Sequence, residues 1–153
     1  MKLNYLIGDA TLPIKKPAII VHIVNDIGCW GSGFVVAISN RFGKNSESSY
    51  KLWSRTTDSD FRLGSIQITS TPDKEIKVVN MVAQTGIISI KNPKPLHLKA
   101  LNKCLSQVYK TIDKNVTVHM PRIGCGLAGG IWEEVEPIIQ KHMSVDTYVY
   151  DLQ

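Results

Sequence analysis

A strand that runs into a glycine-rich turn and then a helix limits this chain's folding options more than any other feature. Val116–Trp132 reads VTVHMPRIGCGLAGGIW. Val116, Val118 and Met120 alternate with more polar neighbours, the pattern of a half-buried strand. Pro121 has no N–H for a ladder and ends the pairing. Gly124–Gly130 then carries four glycines in seven residues, and Ile131 opens a helical pattern. Glycine lacks the Cβ that would keep a ligand off the backbone, and it tolerates positive φ. A helix start behind such a loop offers unpaired N–H groups and the positive end of its dipole. The combination suits an anion, above all a phosphate.

A second unit of the same kind lies upstream. Ala18–Val24 (AIIVHIV) is apolar on both faces, as expected of a central strand covered on both sides. It leads into Asn25-Asp26-Ile27-Gly28-Cys29-Trp30-Gly31-Ser32-Gly33, and Phe34–Phe42 reads as a helix capped by Gly43. Leu3–Gly8 forms a first strand, and Ser48–Ser54 a short helix. Arg62–Thr69 and Ile76–Met81 form a hairpin across the turn Thr71-Pro72-Asp73-Lys74. Leu98, Leu101, Leu105, Val108 and Ile112 share one helical face within Leu96–Ile112. Ile131–His142 is the next helix, and Val145–Leu152 a closing strand. Helices alternating with buried strands predict an α/β layered sheet. Ligands in such sheets bind beyond the carboxyl ends of the strands, where both glycine loops depart.

Composition removes several classes of function. With 43% hydrophobic and 20% charged residues, the 153-residue chain has an ordinary globular balance. One domain covering residues 1–153 is expected, with no repeat and no linker. No apolar run reaches the ~18–20 residues of a membrane span. The amino-terminal stretch holds an Asp and lacks a small-residue cleavage site, unlike a signal peptide. A cytoplasmic location is the resulting expectation. Cys29, Cys104 and Cys125 form no CxxC pair, so neither zinc nor a disulfide framework is indicated, and no cofactor is expected. Cys125 reads as a small filler before a nucleophile, because no His–Asn partner pattern accompanies it. The net charge of +5 would suit an acidic partner. The lysines are scattered without interleaved aromatics, which argues against a nucleic-acid module.

Gly8-Asp9 after the first strand, Ile20–Phe34, Met81–Gln84 (MVAQ), Met120–Trp132 and the closing YVYDL together resemble the macrodomain family over almost the whole chain. MPRIGCGL followed by a tryptophan resembles the branch of terminal ADP-ribose protein glycohydrolases and yeast-type ADP-ribose 1″-phosphate phosphatases. The resemblance implies a three-layer αβα fold with a central mixed sheet. The implied partners are ADP-ribose or an ADP-ribosylated protein or small molecule.

It also implies residue roles. Asp9 would accept from the adenine amino group, or simply cap a turn. Asn25 would face the distal ribose hydroxyls, or form an Asx-turn. Gly31, Ser32 and Gly33 would wrap the distal ribose and one phosphate. Gly124, Cys125, Gly126 and Leu127 would cradle the diphosphate with backbone N–H groups. Pro121 and Arg122 would flank the proximal ribose. Tyr150 and Leu152 would either pack on adenine or belong to the strand core.

The chain departs from the glycohydrolase pattern at two positions. That branch attacks ribose C1″ with a lysine, assisted by an aspartate. Here Ala83-Gln84 stands where the lysine would fall, and Ala128 where the aspartate would fall. His22, on the second strand, is the remaining candidate catalytic group, as a general acid or base if the strand bends enough to bring it to the cleft. Its ordinary reading is a hydrogen-bonded core histidine. The expected function is ADP-ribose binding with hydrolysis of ADP-ribosyl derivatives as an extension. A 1″-phosphate phosphatase is the alternative, and a nucleic-acid module a more distant one.

Overall fold

The computed structural model describes residues 1–153. The elements are β1 (Leu3–Ile7), β2 (Ala18–Asn25), α1 (Phe34–Phe42), α2 (Asn45–Arg55), β3 (Ile66–Ser70), β4 (Ile76–Gln84), α3 (Leu98–Thr111), β5 (Thr117–Met120), α4 (Trp132–His142) and β6 (Thr147–Asp151). They follow the order expected from the sequence. The six strands form one sheet in the order β1-β6-β5-β2-β4-β3. All neighbours run parallel except β3, which pairs antiparallel with β4 as the edge of the hairpin.

Strand alternation sends alternate residues of β2 and β4 into two different cores. Ile19, Val21, Val79, Met81 and Ala83 pack with Leu101, Leu105 and Val108 of α3 and Val135 and Ile139 of α4. Ile20, Val24, Val78 and Val82 pack on the other side with Val35 and Ile38 of α1 and Tyr50 of α2. The result is helix, sheet, helix: three layers around a mixed sheet. No helix is long and apolar enough to cross a membrane.

Two boundaries differ from the sequence pattern for identifiable reasons. Leu96 lies outside α3 because its N–H bonds to Ala128 O and it bridges Gln84, which holds it extended. His97 instead caps the helix, its Nδ1 accepting from Ala100 N at 3.0 Å. The hairpin strand begins at Ile66, because residues 62–65 close a turn with Gly64 at φ 93°.

The half-buried reading of β5 is overturned: all of Thr117–Met120 is buried. β5 lies between β6 and β2, so its polar face is covered too. His119 survives there through a closed set of bonds. Ile14 N donates to the Tyr150 hydroxyl at 3.0 Å, which lies 2.7 Å from His119 Nδ1. His119 Nε2 lies 2.8 Å from Thr117 Oγ1, whose proton goes to Pro17 O. The imidazole is therefore neutral, donating at Nε2 and accepting at Nδ1. It stacks on Tyr148 at 5.0 Å between ring centroids.

Candidate functional site

Because β1, β2, β4, β5 and β6 are parallel, their following loops all emerge at one end of the sheet. The two glycine loops meet there. Ser32, Gly33, Gly124, Gly126 and Leu127 line one cavity of about 220 Å³, with Pro121 and Arg122 at one side. A Cβ built on Gly33 would lie 3.4 Å from Leu127 Cδ1, so the loops touch across the groove. An adjoining cavity of about 370 Å³ shares Ser32, Leu127 and Gln84 and extends past Asn25, Cys29 and Gly31 to Ile87 and Ile88. A surface depression of about 400 Å³ lies at the opposite end, among Pro17, Lys74, Lys77 and Asn115, and carries no glycine loop.

The backbone of both loops is arranged as donors. The N–H groups of Ser32, Gly33, Gly124, Gly126, Leu127 and Ala128 find no acceptor within the protein. Gly33 has φ 83° and stands immediately before α1, so the helix start adds its own dipole. Gly124 has φ 76°, and a Cβ there would lie 2.9 Å from Leu96. Gly130 N closes the second loop on Gly124 O at 2.7 Å. A Cβ on Gly130 would sit 2.4 Å from Leu96 Cδ2 and 2.5 Å from Gly124 O. The Gly130→Ala variant is thus expected to lose about 2 kcal/mol of stability, because a backbone oxygen must move. Urea unfolding measures this.

Asn25 shapes the first loop. Its Oδ1 accepts from Ile27 N, Cys29 N and the Tyr50 hydroxyl, and its Nδ2 donates to Cys29 O. The Asx-turn reading describes what the amide does. Only its second N–H remains for a ligand in the adjoining cavity. Tyr50, fully buried, ties this amide to α2 through a hydroxyl 2.7 Å from both Asn25 O and Oδ1. Tyr50→Phe is expected to cost about 1–2 kcal/mol, read by urea unfolding, since it removes a buried hydrogen bond between α2 and this loop.

The pairing of β2 with β4 shifts register beside the site. Val24 pairs with Val82 but Asn25 pairs with Gln84, so β4 carries one extra residue at its carboxyl end. This bulge brings Gln84 opposite Asn25, and both His22 and Asn25 reach the groove, one in each cavity. His22 is only 1% exposed. Asn80 Nδ2 donates to Gln67 Oε1 and Ser46 O, which leaves Asn80 Oδ1 to accept from His22 Nε2. His22 Nδ1 therefore carries a lone pair, and it has no partner in the protein. Burial pushes the imidazole pKa down to about 4, against the opposing bond to Asn80. At neutral pH His22 is an acceptor or a base, not an acid.

The family model for the Macro domain matches residues 21–139. This chain belongs to the macrodomain family. The solved macrodomain protein of Streptomyces coelicolor is 36% identical, with a TM-score of 0.84, covering 98% of this chain and 99% of that one. The zebrafish (Danio rerio) chromodomain-helicase-DNA-binding protein 1-like is 30% identical over 93% of this chain, which spans only 14% of that protein's length. The ADP-ribose 1″-phosphate phosphatase of Candida albicans is 25% identical, with 97% of this chain and 98% of that protein aligned.

Within this macrodomain, the residues singled out in the sequence divide into two groups. Ser32, Gly33, Pro121, Arg122, Gly124, Gly126, Leu127 and His22 share the first cavity, and Asn25 and Gly31 line the second. Cys125 stands apart from both groups. Its N–H is already bonded to Arg122 O, and the residue lines neither cavity. Burial pushes its thiol pKa up, as for a packed filler. Tyr150 is 5% exposed and tied to His119 and Ile14, in keeping with the strand-core alternative. Leu152 is 80% exposed and outside both cavities. Asp9 spends Oδ1 on Thr11 N and Oγ1, while its Oδ2 lies 3.7 Å from Arg41, so it acts as a turn cap outside both cavities.

Other features of the site had no sequence signal of their own. Arg122 makes a two-point ion pair with Asp151 at 2.7 and 2.9 Å, and its guanidinium lies over the rings of Tyr5 and Trp132. Its charge is thereby largely matched. Gln84 Nε2 donates to Gly86 O, and its Oε1 makes no bond in the protein. Ala83 is buried in the core, so Gln84 alone of that pair faces the groove.

Proposed function

We propose that this macrodomain binds ADP-ribose, with the pyrophosphate held across the two glycine loops. One observation carries the reading: unpaired N–H groups from both loops line a single cavity at the carboxyl ends of the strands. A pyrophosphate presents acceptor oxygens on both sides, and amide donors with a helix start are suited to it. The adenosine half would leave past Pro121 and Arg122, and the distal ribose would enter the cavity beside Asn25 and Gly31. Calorimetry tests the reading. ADP-ribose is expected to bind with one-to-one stoichiometry, and AMP more weakly. No heat at millimolar ADP-ribose would refute it.

Hydrolysis of an ADP-ribosyl derivative is a second reading, favoured by the unpaired lone pair at His22 Nδ1. With Gln84 and Ala128 in place of the lysine and aspartate, the lysyl adduct of the glycohydrolase branch has no nucleophile here. A water admitted beside the buried His22 Nδ1 would be the alternative, a contribution of about 10²-fold, the low end for general-base help. The similarity to a named phosphatase is in keeping with some such chemistry. Turnover is measured as release of ADP-ribose from an ADP-ribosyl ester. The rate of His22→Gln is expected to fall by about that factor, and an unchanged rate would remove His22 from the mechanism.

A further inference from the structure

The cavity beside Asn25 and Gly31 is wide, and no charged side chain lines it. Ile87, Ile88 and Leu127 line it, with the uncharged polar groups of Asn25, Ser32 and Gln84. The one cation of the groove, Arg122, lies in the other cavity and is already paired with Asp151. The carboxylate of Asp26 accepts from Gly86 N, one residue before Ile87, and adds negative charge on this side. Ile87 and Ile88 are 53% and 45% exposed, so they form an apolar wall open to solvent.

Resting on the ADP-ribose reading, we propose that this cavity selects derivatives whose group on ribose C1″ is uncharged and at least partly apolar, and discriminates against a 1″-phosphate. A phosphate there would give up water on the side that faces the isoleucines, with no cation to replace it. The Ser32 amide is taken by the pyrophosphate on this reading, and the Gly31 amide suits a ribose hydroxyl oxygen. An alkyl or aryl substituent gains by covering Ile87 and Ile88. The free oxygen of Gln84 and the remaining N–H of Asn25 then read the ribose hydroxyls, the roles left open by the saturation of Asn25 Oδ1.

The test is calorimetry on the whole chain with four ligands: ADP-ribose, its 1″-phosphate, and its 1″-O-methyl and 1″-O-benzyl glycosides. The benzyl glycoside is expected to bind at least as tightly as ADP-ribose. The 1″-phosphate is expected to bind about tenfold more weakly. The Ile88→Lys variant, changed at a half-exposed position, is expected to recover the phosphate's affinity and weaken the benzyl glycoside. A 1″-phosphate that binds the unaltered protein as tightly as ADP-ribose overturns the proposal while leaving the ADP-ribose reading intact. So does an Ile88→Lys variant with the original ligand order. Failure of all four ligands to bind overturns both.

Discussion

The Gly126→Asp variant is expected to weaken ADP-ribose binding by at least about 100-fold while leaving the urea unfolding midpoint unchanged. A Cβ on Gly126 meets nothing within 4 Å, and its φ is not positive, so the fold accepts a side chain there. The same residue lines the groove and offers an unpaired N–H. An aspartate would fill the seat and set a negative charge against the pyrophosphate. Two unit charges 4 Å apart repel by about 4 kcal/mol at an effective dielectric of 20, which alone exceeds a 100-fold loss. Gly126→Ala adds volume without charge and should show a smaller loss. Equal affinity in the aspartate variant and the parent would mean that the anion does not sit on this loop.

Acid should destabilise the fold steeply between pH 6.5 and about 4. His22 and His119 are both pushed down to about 4 from the ordinary 6.5, chiefly by burial. Above pH 6.5 each is neutral in the folded and unfolded chains alike, and contributes no pH dependence. Below it the unfolded histidines take up protons that the folded ones refuse, so unfolding gains. The loss runs until the folded groups titrate near pH 4. A tenfold difference in proton affinity between the two states is worth about 1.4 kcal/mol, so the pair should remove about 5 kcal/mol between pH 7 and pH 4.5. That is comparable to the whole stability of many domains of this size.

The structural reason differs at the two histidines. Protonating His119 at Nδ1 would end the donation from the Tyr150 hydroxyl, and protonating His22 would bury a cation whose new Nδ1–H has no acceptor. The carboxylates of Glu47, Asp73 and Asp151 are shifted down chiefly by their basic partners Lys51, Lys16 and Arg122, and contribute at lower pH. Urea unfolding at half-unit pH steps measures the slope. The His22→Gln variant should remove about half of the loss above pH 4.5. A flat profile from pH 7 to 4.5 would contradict the buried, neutral state of both rings.

Much of the fold was legible because hydrophobic period and turn chemistry agree along the chain. The doubly apolar run of β2, the strand–loop–helix transitions at Asn25–Phe34 and Pro121–Trp132, and the hairpin turn at Thr71–Lys74 each state one thing locally, and the sheet assembles them. The convergence of the two glycine loops also follows, because parallel strands must release their loops at one end.

Long-range pairings were not legible. Thr117 and His119 look like the wet face of a strand until Tyr148, Tyr150 and the 14–17 segment cover them. Whether Asn25 faces a ligand or its own loop depends on Tyr50, which is remote in sequence. The extra residue in β4 that turns Gln84 into the groove leaves no mark in composition. Arg122 and Asp151 stand 29 residues apart in the chain, and only the sheet order makes them neighbours.

Amide NMR during an ADP-ribose titration tests the two-loop seat most directly. The account predicts that the N–H signals of Ser32, Gly33, Gly124, Gly126, Leu127 and Ala128 shift together and saturate with one dissociation constant. Shifts confined to one loop, or centred on Lys74, Lys77 and Asn115 at the opposite end of the sheet, would contradict it.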